Sequence, residues 1–340
     1  MTTVPLLLTA LIFGTLSPAF AQTTVPPAPK GIYLLNDGTT PVAKMKLPTF
    51  LSGFSLRIGW SDIEKSKGVY DFKAITEAIS TLQSKNLKLT LSIFASVPPA
   101  YILTGASSTF NTNMGKAPTP WDPLAQAQWK AMLNALAKHQ VWDAVSKRKV
   151  ALSDHPTLTA INAPVVGLQS IRDIKGELVK KPDYTRNKFI TAVASSVRSC
   201  RDAFPKDYLF IGFFKMQDSD TVNPLDEAVM AQLKTDFMGT GKAGLGLFQE
   251  TWSDIGPNPL SLGSFLVGVQ APNAVMLQAL TSWKRPFNYA ENVTSKNPNG
   301  ALDRAFVELG CTYFELYSPD INATDLQPMF QQWSTFLARQ

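Results

Sequence analysis

Carboxylates and aromatic residues recur at the ends of apolar runs in this chain, and histidine does not. Glu250 stands beside Trp252 in LFQETW, and Glu315 beside Tyr317 in YFELY. Asp173 and Glu177 follow Gln169 in GLQSIRDIKGE, Gln278 precedes Trp283, and Arg57 precedes Trp60 in RIGW. Asp37, Ser96, Lys215 and Asp218 close other runs. The only histidines, His139 and His155, are too few for a multi-histidine metal site and ill-placed for a histidine-based triad. The motifs GxSxG, GxxxxGK[ST] and HExxH are absent. What remains is proton transfer by paired carboxylates, among aromatic faces that stack on sugar rings and amides that hold hydroxyls. The chemistry implied is that of glycosides, with an oligosaccharide or polysaccharide as partner and neither cofactor nor metal.

Such residues need a scaffold that gathers run ends. Eight apolar, strand-like runs occur: 31–37, 54–60, 87–94, 164–171, 208–214, 244–250, 274–280 and 311–317. Helical spacing lies between them, as in Phe72, Ile75, Ile79 and Leu82 after Asp71 as N-cap. Leu124, Trp129, Met132, Leu133 and Leu136 mark a second helix, and Leu326, Met329, Phe330, Trp333 and Leu337 mark a last one. Alternating strands and helices argue for a parallel sheet, and eight units close most economically as a single-domain (β/α)8 barrel. An open doubly wound sheet would place a Gly-rich phosphate loop after the first strand, and GIYLLNDGTTP has none. In a barrel the strand-end loops converge over one mouth, so the residues closing the runs form the candidate site.

The N-terminal sequence MTTVPLLLTALIFGTLSPAFAQ combines an apolar run, Val4 to Leu16, with the cleavage pattern Ala19-Phe20-Ala21. Residues 1–21 are therefore expected to be a signal peptide, 22–30 a Pro-rich leader and 31–340 the barrel, giving a secreted or periplasmic protein. No later segment approaches the ~20 apolar residues of a membrane span. The net charge of +6 is spread along the chain without a basic stripe interleaved with aromatics, which argues against nucleic acid as a partner. Cys200 falls on the buried stripe Phe189, Val193, Val197, Cys200 and Phe204, so core packing is expected rather than a disulfide with Cys311. Asn292 and Asn322 begin short glycosylation-acceptor patterns.

The stretch RIGWSDIEKSKGVYDF resembles the second strand and following helix of the large retaining (β/α)8 clan of glycoside hydrolases, above all the family 42 β-galactosidases. Arg57, Trp60, Ser61, Glu64, Gly68, Tyr70, Asp71 and Phe72 carry that resemblance, and Pro98, Pro99 and Tyr101 continue it. It extends over about residues 31–171. It implies a glycosidase whose acid/base Glu follows Asn at the end of the fourth strand and whose nucleophilic Glu closes the seventh. Laid on VVGLQSIRD, the first pair falls on Arg172-Asp173, and the second position is Gln278. An amide cannot form the glycosyl ester.

The catalytic candidates are accordingly Asp173 or Glu177 as proton donor and Glu250 or Glu315 as partner carboxylate. Glu315, in mid-strand, is expected to face the mouth and pair with a cation such as Arg57. Arg57, Gln169 and Gln278 are expected to hold substrate, with Trp60, Trp252, Trp283 and Tyr317 as sugar platforms. Trp60, Tyr70 and Phe72 are equally suited to capping the barrel. Two readings stand: a glycosidase, retaining at a carboxyl separation of about 5–5.5 Å or inverting at about 6.5–9.5 Å, and a carbohydrate-binding relative that has lost the catalytic pair.

Overall fold

The computed structural model of the chain describes residues 26–36, 40–173, 175–256, 266–288 and 296–340. The expected signal peptide, the start of the leader, Asp37 and Asn292 lie outside the described residues. Eight parallel strands close into a barrel: β1 (Gly31–Leu35), β2 (Gly53–Gly59), β3 (Lys88–Phe94), β4 (Leu158–Asn162), β5 (Tyr208–Gly212), β6 (Gly246–Trp252), β7 (Val275–Ala279) and β8 (Tyr313–Leu316). Each pairs with the next in sequence, and β8 closes on β1 with Tyr33 opposite Glu315. The expected (β/α)8 architecture is thus the observed one.

Amphipathic helices pack outside the barrel, among them α1 (Lys73–Gln83), α2 (Pro123–Lys138), α3 (Arg186–Ala203), α4 (Leu225–Leu233), α5 (Pro298–Leu309) and α6 (Gln327–Leu337). Ile75, Ile79 and Leu82 of α1 are buried, as their spacing predicts. Its N-cap is Phe72 rather than Asp71, although the Asp71 carboxylate still accepts from the Lys73 N–H at 2.9 Å. Both cysteines are buried and free.

One strand differs from expectation. The fourth barrel strand is Leu158–Asn162, not 164–171. The later run is the buried connection that leaves β4, where Val165, Val166 and Leu168 pack as deeply as strand residues while their backbone forms no ladder. Only Ile171 rejoins the sheet, as an isolated bridge to Phe213.

The barrel interior is filled by Tyr33, Ala160, Tyr208, Phe210, Phe248, Met276 and Tyr313. Gly53 gives these rings room: a Cβ there would meet Tyr33 Cε1 at 2.3 Å. Side chains alternate along a strand. The interior face therefore continues upward from Gly53 to Ser55 and Arg57, from Phe248 to Glu250, from Met276 to Gln278 and from Tyr313 to Glu315.

The structure also explains RIGWSDIEKSKGVYDF. Glu64 is fully buried and accepts hydrogen bonds from Trp60 Nε1 (2.8 Å), Gly68 N (2.8 Å) and Tyr101 Oη (2.7 Å). Gly68 is required by its backbone, at φ +73°, and not by space, since nothing lies within 4 Å of a Cβ placed there. Among the described residues, three antiparallel hairpins, at 64–70, 109–118 and 140–151, are not apparent from the sequence. Their strands of two to four residues are too short for an alternation signal.

Candidate functional site

The interior face ends, at the C-terminal side of the barrel, in a connected polar layer. Arg57 Nη2 donates to Glu315 Oε2 at 2.7 Å and to Gln278 Oε1. The other oxygen of Glu315 accepts from Ser55 Oγ (2.8 Å) and Tyr313 Oη (2.7 Å), and Tyr313 Oη also bonds Thr90 Oγ1 (2.9 Å). Gln278 Nε2 donates to Tyr317 Oη at 2.7 Å. β2, β3, β7 and β8 are thereby tied across the lumen by one network, and Glu315 has the cation expected of a charge in mid-strand.

Burial would lower the Arg57 pKa, but the adjacent Glu315 and Glu250 carboxylates outweigh it and hold the guanidinium above its ordinary value. Burial, and then the Glu315 charge, keep the Tyr313 phenol well above its ordinary pKa, so it stays a neutral donor. Glu315 has no exposed surface and spends both oxygens on protein donors. It is part of the floor.

Glu250 reaches solvent more, with 15% of its side chain exposed. It accepts from Gln169 Nε2 (2.9 Å) and Arg172 Nη2 (3.4 Å) and lies 3.8 Å from Arg57 Nη1. Arg172 in turn stacks over Phe214, 4.3 Å from the ring centroid. Asp173 and Glu177 lie beyond β4 in its exit loop and bond backbone: Asp173 accepts from Leu178 N (2.8 Å) and Glu177 from Asn111 N (3.1 Å) of the 109–118 hairpin. Arg57, Glu250, Glu315, Gln169 and Gln278 are thus brought together, and Asp173 adjoins them through Arg172. Glu177 is held by the hairpin.

With β4 located at Leu158–Asn162, the Asn-Glu pattern falls on Asn162-Ala163 and not on Arg172-Asp173. Asn162 is 5% exposed, and its Oδ1 is buried with no hydrogen-bond partner. Neither Ala163 nor Gln278, which closes β7, carries a carboxylate.

The four expected sugar platforms offer no open faces. Trp60 has no exposed surface, packs edge-on against Trp129 of α2 at 5.1 Å and gives its N–H to Glu64. Trp252 is turned outward by a register shift in β6 between Gln249 and Trp252. It lies 4.6 Å from the Arg304 guanidinium and donates to Ala301 O of α5 at 2.8 Å. Trp283 and Tyr317 are also buried, and Tyr317 spends its hydroxyl on Gln278. Near them Phe287, edge-on to Tyr317 at 5.7 Å, is exposed.

A groove of about 920 Å³ reaches Arg57 from the side. Asn36, Ile58, Phe94 and Met114 line its end at the mouth, and residues 40–44 with α1 line the other. Ser55, Tyr313 and Asn162 are site residues that the sequence does not single out, and Arg172, met there only beside Asp173, joins them by holding Glu250. For Ser55 and Tyr313 the two-residue spacing from Arg57 and Glu315 was the available signal.

Among the described residues no group of three or more His, Cys, Asp or Glu side chains could hold a metal ion, and no helix is long and apolar enough to cross a membrane.

No family model matches the chain, and no curated protein matches it in sequence. Among solved structures, an endo-1,4-β-D-mannanase from Thermotoga petrophila superposes with a TM-score of 0.56 at 11% identity, over 90% of this chain and 99% of that one. An exo-β-1,4-mannosidase from an Opitutaceae bacterium gives 0.44 at 11% identity, over 91% of this chain and 59% of that one. A GH10 endoxylanase from a sugarcane soil metagenome gives 0.39 at 14%, over 68% and 58%. The mannanase match is one of fold: the same closed barrel, spanned nearly end to end.

Proposed function

We propose that this chain is a glycosidase-like barrel that binds an oligosaccharide or polysaccharide at its strand-end mouth without hydrolysing it. One observation carries the reading: the two positions where the retaining clan places its carboxylates are Ala163, after β4, and Gln278, on β7. Neither can donate a proton or form a glycosyl ester. Glu315 cannot substitute while it is buried and committed to Ser55, Tyr313 and Arg57. The barrel shared with a mannanase and the polar mouth of Gln169, Arg172 and Glu250 support carbohydrate as the ligand.

With the expected platforms buried, the grip on sugar falls to these polar side chains and to Phe287. Calorimetric titration with β-1,4-linked manno- and xylo-oligosaccharides tests this. Binding weakened by Gln169→Ala and Arg172→Ala, with melting temperature unchanged, is the expected result. Absence of binding to every saccharide, with the fold intact, overturns it.

A second reading rests on Glu250, whose carboxylate is partly open and sits beside Arg172-Asp173. In it, Glu250 serves a residual hydrolase, and turnover abolished by Glu250→Gln identifies that case. Export belongs to the same proposal and rests on the apolar run 4–16 and Ala19-Phe20-Ala21. N-terminal sequencing of the exported protein, starting at Gln22, checks it.

A further inference from the structure

The hairpin at 140–151 lies between the end of α2 and the start of β4, at the end of the barrel opposite the mouth. It is firmly built. Asp143 caps its turn by accepting from Val145 N (3.0 Å) and Ser146 N (3.1 Å). Gln83 of α1 fastens it by donating to Trp142 O (3.1 Å) and accepting from Ala144 N (3.1 Å). On this rigid support Trp142 is 51% exposed and Val145, at the tip, 85% exposed. Lys149 faces Trp142 in register, and Lys147 and Arg148 complete a run of three exposed cations that make no ion pair among the described residues. Lys85 and Lys138 are also exposed at this end.

An indole and an aliphatic tip held out by a capped turn, and ringed by unpaired cations, have the chemistry of a membrane interface. Tryptophan partitions to the headgroup level, and lysine and arginine are drawn to anionic lipid. We propose that this hairpin docks the protein on an anionic lipid bilayer, which leaves the mouth turned away from the surface. An acidic polysaccharide would satisfy the cations and stack on Trp142, but it gives no use for the aliphatic Val145 held out at the tip.

The test is co-sedimentation of the chain from Gln22 onward with vesicles. All eight strands lie in that chain, and it lacks the apolar run 4–16. Vesicles of phosphatidylcholine alone are compared with vesicles containing 30% phosphatidylglycerol. The expected result is binding to the anionic vesicles only, weakened by salt. Lys147→Glu/Arg148→Glu/Lys149→Glu should weaken it on the order of a hundredfold, from about fivefold per basic residue. Trp142→Ser/Val145→Ser should weaken it at least severalfold, with melting temperatures unchanged for both variants. Three results would each overturn the proposal: equal binding to both vesicle types, binding unaffected by either variant, or binding to polygalacturonate but not to vesicles.

Discussion

Arg57 joins Glu315 and Gln278 through a single nitrogen, Nη2, so that β2 is tied to β7 and β8 across the top of the barrel. The tie is electrostatic and mostly out of water, with 15% of the Arg57 side chain and none of the Glu315 side chain exposed. Breaking a buried pair from one side strands the other charge. Glu315→Gln and Arg57→Met should each cost about 3–5 kcal/mol. Urea denaturation measures this, and a loss below about 1 kcal/mol would show that the pair is not what holds the strands in register.

Gln278→Glu places a second carboxylate on the same guanidinium nitrogen. Two carboxylates sharing one cation cannot both stay ionised without mutual cost, so one of them should titrate well above the ordinary range. NMR titration of the labelled variant reads that shift directly. Ordinary titration of both groups would mean that the layer is looser than the Arg57 and Tyr317 hydrogen bonds imply.

Far from the mouth, Asp207 sits at the base of β5 with its Oδ2 buried and unpartnered. Burial pushes its carboxyl up to about 8, against the pull of Arg201. The folded state therefore keeps a proton that the unfolded state loses near pH 4. Stability from this group is full below that pH, falls as pH rises to about 8 and is flat beyond. Asp320, raised to about 6 chiefly by burial, adds a decline of the same sign that ends earlier. Asp207→Asn should abolish the loss of stability between pH 6 and 8, seen as melting temperatures that no longer fall across that range.

Trp60 belongs to the clasp on Glu64 and to the wall under α2. Trp60→Ala should cost about 3–5 kcal/mol, as large cavities in cores do. Saccharide affinity should be unchanged wherever the variant is still folded. A selective loss of affinity with little loss of stability would return Trp60 to the mouth.

The barrel was legible because strand-like runs and helical stripes alternate, and Glu315 because a charge inside an apolar strand demands a cation. The fourth strand was misread for a physical reason. Its five residues, LTAIN, are less apolar than the buried connection after them, and composition reports burial without reporting backbone pairing. With the strand at Leu158–Asn162, the Asn-Glu pattern that the resemblance implies would fall on Asn162-Ala163 and not on Arg172-Asp173. The aromatic residues were misread because residue type does not give orientation: the register shift that turns Trp252 outward leaves no trace in LFQETW.

The central claim is that the mouth binds sugar and performs no hydrolysis, and product analysis of the wild-type chain tests it most directly. The chain is incubated with aryl α- and β-glycosides and with manno- and xylo-oligosaccharides at concentrations where titration shows binding. The account predicts that every bound saccharide is recovered intact. Release of product by the wild type, lost in Glu250→Gln with the fold preserved, would contradict it.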